Sequence, residues 1–551
     1  MDPGLVKEGI ADEMDFMSKI EMFADASEEE CWDVTGAAPI STRWVMVKKT
    51  LDDGEEIGRC RLVGRDFKGR DSEVREDLFA ATPPLEALKL LLRTTAVKQK
   101  KGGERKLLFI DVKKAHLIPP CEEPVYVLLP SDFGNRRVVR LRRWLYGMRK
   151  AAHSWEAFYT QKLREIGFEA GLASPVLFHN KQTAFRLVVH GDDFIYSGGG
   201  PELKAIRRWM RTWCEIKDRG IMGSAEDDVK EREVLGRTIR WTMSGLEYFA
   251  DRKHRQIIMK EFGLNDESKG AVSPMVKERG KEDEEEAELG GEDARWVRGL
   301  IARANYLAQD RLDIQFTAKE LSRTMSRPRV GDLAKLKRLA RYLVGAAEVV
   351  WRFPFTENEP KMINVYADSN WAACVLSRRS TSGGTVTVDG CTVKNFSATQ
   401  SSIATSVGEA EYYAALRGAA EGLCVQALGR DLGLELEVWL WSDSTSARGI
   451  ACRRGLSGRT RHLETKFLWL QEAVANKRLK WAKIGTEVNP ADVLTKIRNV
   501  GGAARLIESV GGFLVRVQGG HPYTERGCWI GISLQSFPKG LRAIHSHNEQ
   551  D

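Results

Sequence analysis

Apolar and polar residues alternate with a strand's period between Trp44 and Phe67: Trp44-Val45-Met46-Val47, a turn at Asp52-Asp53-Gly54, then Cys60-Arg61-Leu62-Val63. An Asp-Gly between two such runs predicts a hairpin. The period then lengthens. Leu85, Leu88, Leu91 and Leu92 recur at helical spacing behind Pro83-Pro84, which predicts a helix over 84–97. The apolar run 107–112 predicts a strand, and residues 151–167, with Trp155, Phe158 and Leu163 on one side, predict a second helix. Residues 186–189 and 194–197 flank Gly191-Asp192-Asp193 as another hairpin, followed by a helix over 202–214 and a strand over 234–241. Residues 295–346 read as helical throughout. From Met362 strands and helices mix again: a strand over 363–367, a hairpin about Asp389-Gly390, a long helix from about Val407 to Leu428, a strand over 438–441, a helix near 460–476, a strand over 479–483 and a short helix after Pro490.

This order predicts an α+β and α/β multidomain chain, and 551 residues call for several domains. Composition places the breaks. Glu282, Asp283, Glu284, Glu285, Glu286 and Glu288 form a run that repels itself and buries nothing, with Gly290-Gly291 behind it. The expected divisions are an acidic, partly helical segment (1–40), a first catalytic region (41–265), an acidic mobile linker (266–298), a helical connection (299–355), a second catalytic domain (360–498) and a Gly-rich tail without an assigned role (499–551). Hydrophobic residues make up 42% and charged residues 29%, as in ordinary globular protein.

A net charge of +8 is modest for this length, so the local distribution says more. Arg136, Arg137, Arg140, Arg142, Arg143, Arg149 and Lys150 crowd one segment, and Arg43, Lys48, Lys49, Arg59, Arg61, Arg65, Lys68 and Arg70 another. Such runs are commonly solvated faces. Flanking Asp111 on both sides, they also suit a channel for a phosphate backbone. The nine cysteines include no Cys-x-x-Cys pair, which argues against a zinc ribbon or knuckle, and their odd, scattered count fits reduced thiols. No apolar run reaches the length of a membrane span, and the acidic N-terminus lacks a signal peptide's features. The expectation is a soluble intracellular protein, cytoplasmic or nuclear, with no membrane partner.

The informative acids end apolar stretches. Asp111 closes Leu107-Leu108-Phe109-Ile110, and Asp192-Asp193 sits between two apolar runs. Asp368, Glu411, Asp443 and Asp492 lie at the end of, or beside, four more. A carboxylate at the mouth of a hydrophobic strand is costly unless something pairs with it, and converging carboxylates repel unless a cation sits between them. Two such groups predict two metal-dependent sites suited to phosphodiester chemistry. Taken singly, each acid has a plainer explanation: an Asp-Asp turn often just faces solvent, and Asp389 is accounted for by its turn. Glu409 and Glu411 stand two apart on a helix and face different directions, so one of them at most is a ligand.

Residues 40–200 resemble the reverse transcriptase of Ty1/copia-type retrotransposons. The resemblance is carried by Arg59-Cys60-Arg61-Leu62-Val63, Leu78-Phe79-Ala80-Ala81-Thr82-Pro83-Pro84, Phe109-Ile110-Asp111-Val112-Lys113-Lys114-Ala115, Leu145-Tyr146-Gly147-Met148-Arg149-Lys150 with Trp155, and the Asp192-Asp193 hairpin. It implies a right-hand polymerase with fingers, palm and thumb. Asp111, Asp192 and Asp193 map to the metal-binding palm acids, and Lys49, Arg61, His116 and Lys150 to positions beside the incoming nucleotide. The sequence departs from the family at His116, where an aromatic that excludes ribonucleotides is usual, at His190 in place of Tyr, at Lys150 in place of Gln and at Ala152 in place of Pro.

Residues 362–497 resemble the copia-type ribonuclease H through Tyr366-Ala367-Asp368-Ser369-Asn370-Trp371, Arg379-Ser380-Thr381-Ser382-Gly383-Gly384, Ser406-Val407-Gly408-Glu409-Ala410-Glu411-Tyr412-Tyr413, Ser442-Asp443-Ser444, Arg461-His462-Leu463 and Asn489-Pro490-Ala491-Asp492-Val493-Leu494-Thr495-Lys496. This implies a ribonuclease H-like domain with Asp368, Glu411, Asp443 and Asp492 as ligands; His462 lies in a recurrent motif, where a structural histidine is the plainer reading and a proton shuttle or product-release group the alternative. The resemblance implies two magnesium ions per active site, with manganese as the alternative. The implied partners are an RNA template, a DNA primer, an RNA–DNA hybrid and deoxynucleoside triphosphates. The competing readings are a non-catalytic remnant that still binds nucleic acid, motivated by His116, Lys150 and His190, and an RNA-dependent RNA polymerase. The second set of acids argues against the last, because copying RNA into RNA leaves no hybrid to clear.

Overall fold

A computed structural model describes residues 2–50, 54–67, 78–98, 103–133, 137–276, 287–374, 377–455, 460–518 and 521–523. The turn residues Asp52-Asp53, the basic residues Lys68, Arg70 and Arg136, and the acids 282–286 lie outside these. The chain divides into two compact units, one of residues 1–87, 106–221 and 431–433, the other of 88–105, 222–430 and 434–551. The architecture is a mixed α/β multidomain one, in line with a polymerase followed by a ribonuclease H-like domain.

The first unit holds two sheets. One is ordered Phe23–Asp25, Val138–Leu141, Tyr126–Leu128, Ile40–Thr50, Glu56–Gly64. The predicted hairpin forms its last two strands, with Val45 opposite Arg61. Met17, Leu62, Leu117, Val127, Val139, Trp144 and Leu145 make its core. The acidic N-terminal segment folds as helices Pro3–Lys19 and Glu28–Thr35. The second sheet runs Ile216–Met222, Lys106–Val112, Asp193–Gly198, Phe185–His190, Leu177–Asn180, Glu169–Ala170. Its central strands are buried, and the aromatic rings of Trp155, Tyr159, Phe178, Phe194 and Trp213 interlock against them. Trp155 and Tyr159 come from the helix Ala151–Glu165, whose buried residues Ala151, Trp155, Tyr159 and Leu163 recur every four positions.

The second unit also holds two sheets. A six-stranded antiparallel sheet runs Glu231–Val234, Arg237–Trp241, Gly245–Phe249, Ala346–Pro354, Gly512–Gln518, His521–Tyr523. The single strand expected over 234–241 is thus a hairpin, turned at Leu235-Gly236, both with positive φ. The region read as helical throughout is three helices, Gly291–Ala308, Leu312–Ser322 and Val330–Gly345, ending in the strand Ala346–Pro354. Part of the expected tail is folded: Val500–Ser509 is a helix and Gly512–Gln518 pairs with Ala346–Pro354. Its glycines and short period hid a strand whose partner lies far back in the chain.

The other sheet is ordered Cys391–Thr399, Thr381–Val388, Met362–Asn370, Glu437–Ser442, Lys480–Lys483. The first three strands are antiparallel; Glu437–Ser442 runs parallel to Met362–Asn370. A parallel neighbour needs a crossover, and the long helix Val407–Asp431 provides it. Gly418 and Gly422 let that helix close on the sheet: a Cβ at Gly422 would lie 2.5 Å from Val365 Cγ2. Glu411 stands on the same helix, two turns before Gly418, which carries it towards the end of the Asp368 strand. Among the described residues no helix is long and apolar enough to cross a membrane.

Candidate active sites

The first site forms where three strands of the first unit meet. Register sets Asp193 directly opposite Asp111 on one side and His190 on the other. Residues so paired project from the same face, so two carboxylates that arrive from distant parts of the chain share one face of the sheet. Gly191 and Asp192 make the turn. Gly191 has φ +63° and Asp192 does not share the positive φ, the pattern of a type II′ hairpin, which wants glycine first. Trp155 Nε1 donates to Gly191 O at 2.8 Å, and Val112 N to Asp192 O at 2.9 Å, so the tip is tied on both sides.

Burial, then the charges of Asp192 and Asp111, push the Asp193 carboxyl up to about 6, against the pull of Arg219. Arg219 Nη2 stands 2.9 Å from Asp111 Oδ2. Arg219 thus answers the charge of Asp111, while Asp192 and Asp111 act on Asp193 through space; among the described residues these three acids are not brought within 4.8 Å of one another, as those of the second site are.

The residues expected beside the nucleotide divide. The Arg61 guanidinium lies 5.2 Å over the Tyr146 ring, and the His116 ring meets that ring edge-on at 6.2 Å. Burial lowers the His116 pKa, and its buried Nδ1 has no partner. Arg61 and His116 are therefore brought together, through Tyr146. The Lys150 ammonium is ion-paired with Glu123. Lys49 is exposed near the end of its strand, opposite Ile57.

The second site lies in the second unit. Asp368, near the end of Met362–Asn370, Glu411, on the long helix, and Asp443, just past Glu437–Ser442, bring carboxylate oxygens within 4.8 Å of one another. Asp368 is 3% exposed and Glu411 7%. Burial pushes Asp368 up to about 6, against Lys496 and a hydrogen bond from Thr495. Burial and the neighbouring Asp368 push Glu411 up to about 8. Glu411 Oε1 accepts from Ser369 N at 3.2 Å and Ser369 Oγ at 2.8 Å, while its buried Oε2 has no partner. An orphaned carboxylate oxygen aimed among acids suits a divalent cation, a hard ion that takes oxygen ligands.

The fourth expected ligand, Asp492, stands outside this trio. Its carboxylate is held by Arg498 and by Lys496 Nζ at 2.6 Å, and the same Nζ lies 3.8 Å from Asp368. Glu409 faces elsewhere on the helix, as the spacing predicts: its Oε2 meets His462 Nε2 at 3.0 Å and Thr405 Oγ1 at 2.7 Å. Sequence reasoning missed Arg219, Thr486, which donates to Asp443 at 2.6 Å, and the Lys496–Arg498 clasp. Arg219 sits in Lys217-Asp218-Arg219-Gly220, a charged stretch with no strand signature; only the quoted Asp492–Lys496 motif hinted at the clasp.

Residues 31–275 match the family described as reverse transcriptase (RNA-dependent DNA polymerase). The chain is 23% identical over 487 residues to the retrovirus-related Pol polyprotein from transposon TNT 1-94 of Nicotiana tabacum, covering 84% of this chain and 35% of that one. It is 23% identical over 484 residues to the corresponding polyprotein from transposon RE1 of Arabidopsis thaliana, covering 84% and 31%. It is 22% identical over 406 residues to the transposon Ty1-ER2 Gag-Pol polyprotein of Saccharomyces cerevisiae, covering 70% and 22%. The chain spans about a third of the length of the plant relatives. Among solved structures, it is similar to a foamy viral protease-reverse transcriptase in complex with RNA/DNA hybrid, with TM-score 0.49 and 12% identity, covering 88% of this chain and 54% of that one. Residues 31–275 thus match the reverse transcriptase family, in a chain similar over 84% of its length to Ty1/copia-type Pol polyproteins.

Proposed function

We propose that this chain is the polymerase and ribonuclease H portion of a copia-type retrotransposon Pol polyprotein. It extends a DNA primer on an RNA template with deoxynucleoside triphosphates and cuts the RNA strand of the resulting hybrid. The observation that carries the reading is the register that sets Asp193 across from Asp111 beside the Asp192 turn, inside residues that match the reverse transcriptase family. The trio Asp368, Glu411 and Asp443 supports the second activity.

Asp111, Asp192 and Asp193 would hold magnesium, or manganese, in the first site, and Asp368, Glu411 and Asp443 in the second. Bound there, a divalent metal makes a hydroxyl or water a better nucleophile and offsets charge on the phosphate. The chain's own groups do the rest. Arg219 orients Asp111, and Trp155 fixes the turn that presents Asp192. Arg61, Tyr146 and His116 line the approach for the nucleotide. Lys496, clasped by Asp492, keeps a positive charge beside Asp368.

A second reading, the remnant that binds nucleic acid without catalysis, draws on Lys150 held by Glu123 and on the partnerless Nδ1 of His116. One assay separates the two. The protein is given poly(rA)·oligo(dT), dTTP and magnesium, beside Asp192→Asn, and cutting of labelled RNA in a hybrid is followed beside Asp443→Asn. The polymerase reading expects incorporation lost in Asp192→Asn and cutting lost in Asp443→Asn. No incorporation and no cutting from folded protein would leave the binding remnant.

A further inference from the structure

The N-terminal helix Pro3–Lys19 lies upstream of the residues that match the family. Its buried residues are Gly9, Glu13 and Met17, one stripe at a spacing of four. A carboxylate in the middle of such a stripe is out of place: Glu13 is 3% exposed, and its Oε1 has no partner. The helix is pressed close to the strand Glu56–Gly64, since a Cβ on Gly9 would lie 2.0 Å from Gly58 O. Glu13 Oε2 meets Lys114 Nζ at 2.7 Å, and the same ammonium lies 4.1 Å from the centre of the Phe16 ring, one helical turn further on.

Lys114 is three residues past Asp111 and has φ +51°, a conformation that costs a side-chain-bearing residue energy and persists only where its surroundings enforce it. It opens the short 3₁₀ turn Ala115–Leu117, which carries His116 against Tyr146. The clamp and the strained residue thus stand between the palm acid and the nucleotide-side ring.

We propose that Glu13 is a positioning residue of the polymerase site: through Lys114 it holds the turn after Asp111, and with it His116, in the shape that receives the incoming nucleoside triphosphate. This rests on the polymerase reading above. The helix therefore takes part in nucleotide selection, although no residue of it needs to touch substrate.

The test measures extension of poly(rA)·oligo(dT) by the full chain with magnesium, with KM for dTTP and kcat determined separately. Glu13→Gln keeps the shape and removes the charge. It is expected to raise KM for dTTP roughly tenfold, the loss of about one charge-assisted contact, while kcat stays within about twofold. Glycine takes a positive φ unaided, so Lys114→Gly added to Glu13→Gln is expected to bring KM back to within about twofold of the unsubstituted chain. Circular dichroism and thermal melting of the same preparations report that the unit carrying Glu13 and Lys114 is folded. An unchanged KM in Glu13→Gln, a fall in kcat and thermal stability without a change in KM, or no recovery in the double variant would each overturn the inference while polymerisation by the unsubstituted chain stands. An unsubstituted chain that cuts hybrid but incorporates nothing overturns the polymerase reading, and the inference with it.

Discussion

Glu411 shows what a single residue can report. Its carboxyl is pushed up to about 8 and that of Asp368 up to about 6, both foremost by burial. An acid whose folded pKa is raised binds its proton more tightly folded than unfolded, so stability falls as pH rises from the unfolded value to the folded one. Chelator-treated protein is therefore expected to lose melting temperature between about pH 5 and pH 8, where Asp368 and then Glu411 must ionise against each other. Magnesium at pH 8 restores it, because the cation binds the ionised form. Glu411→Gln is expected to abolish hybrid cutting and to flatten the metal-free profile above about pH 6, leaving the fall that Asp368 and Asp193 contribute below it. A metal-free melting temperature that climbs over that range would contradict the burial described here. Asp368, Glu411 and Asp443, which the structure gathers, stood out in the sequence because each lies at the end of, or beside, an apolar run. Arg219 and Glu13 did not: one lies in a charged strand and the other in an acidic segment that reads as surface, and their meaning comes only from partners remote in the chain.

At the scale of an element, the hairpin that presents Asp192 and Asp193 depends on one backbone angle and on two hydrogen bonds at its tip, one of them from a side chain. A Cβ at Gly191 would meet nothing within 4 Å, so any cost of substitution there is conformational, not steric crowding. Gly191→Ala is expected to destabilise by about 1 kcal/mol, the price of a positive φ for alanine, and to lower primer extension more than stability by tilting the acids. Trp155→Phe keeps most of the ring packing but removes the donor to Gly191 O, again about 1 kcal/mol, and is expected to lower kcat for extension. Extension rates unchanged in both variants would mean that the tip needs neither tie. The hairpin was legible because glycine sits between two apolar runs. The register that pairs it with the Asp111 strand was not, because pairing across a sheet is decided by which faces can be buried together. The same limit split the expected strand over 234–241 into a hairpin.

For the whole molecule, the two candidate sites lie in different compact units, so Asp192→Asn is expected to leave hybrid cutting intact and Asp443→Asn to leave extension intact. The second unit in turn depends on residues that the sequence alone presented as a tail. Ala503, Ala504, Ile507, Val510, Leu514 and Val515 are buried, and Gly512–Gln518 pairs along Ala346–Pro354. Val510 O also accepts from Thr392 Oγ1 at 2.7 Å, inside the sheet that carries Asp368. A chain ended after Arg498 would expose those side chains, of which the larger contribute roughly 1.5–3 kcal/mol each, and would leave the Ala346–Pro354 strand with an open edge. Three or four such losses are comparable with the whole stability of a domain, about 5–15 kcal/mol. The expected outcome of that truncation is loss of the second unit's unfolding transition, loss of hybrid cutting and a rise in aggregation. A second truncation, after Tyr523, keeps every described strand and is expected to retain cutting. If the chain ended after Arg498 melts and cuts like the full one, residues 500–518 are an ornament on the sheet rather than part of what holds Asp368, Glu411 and Asp443 together.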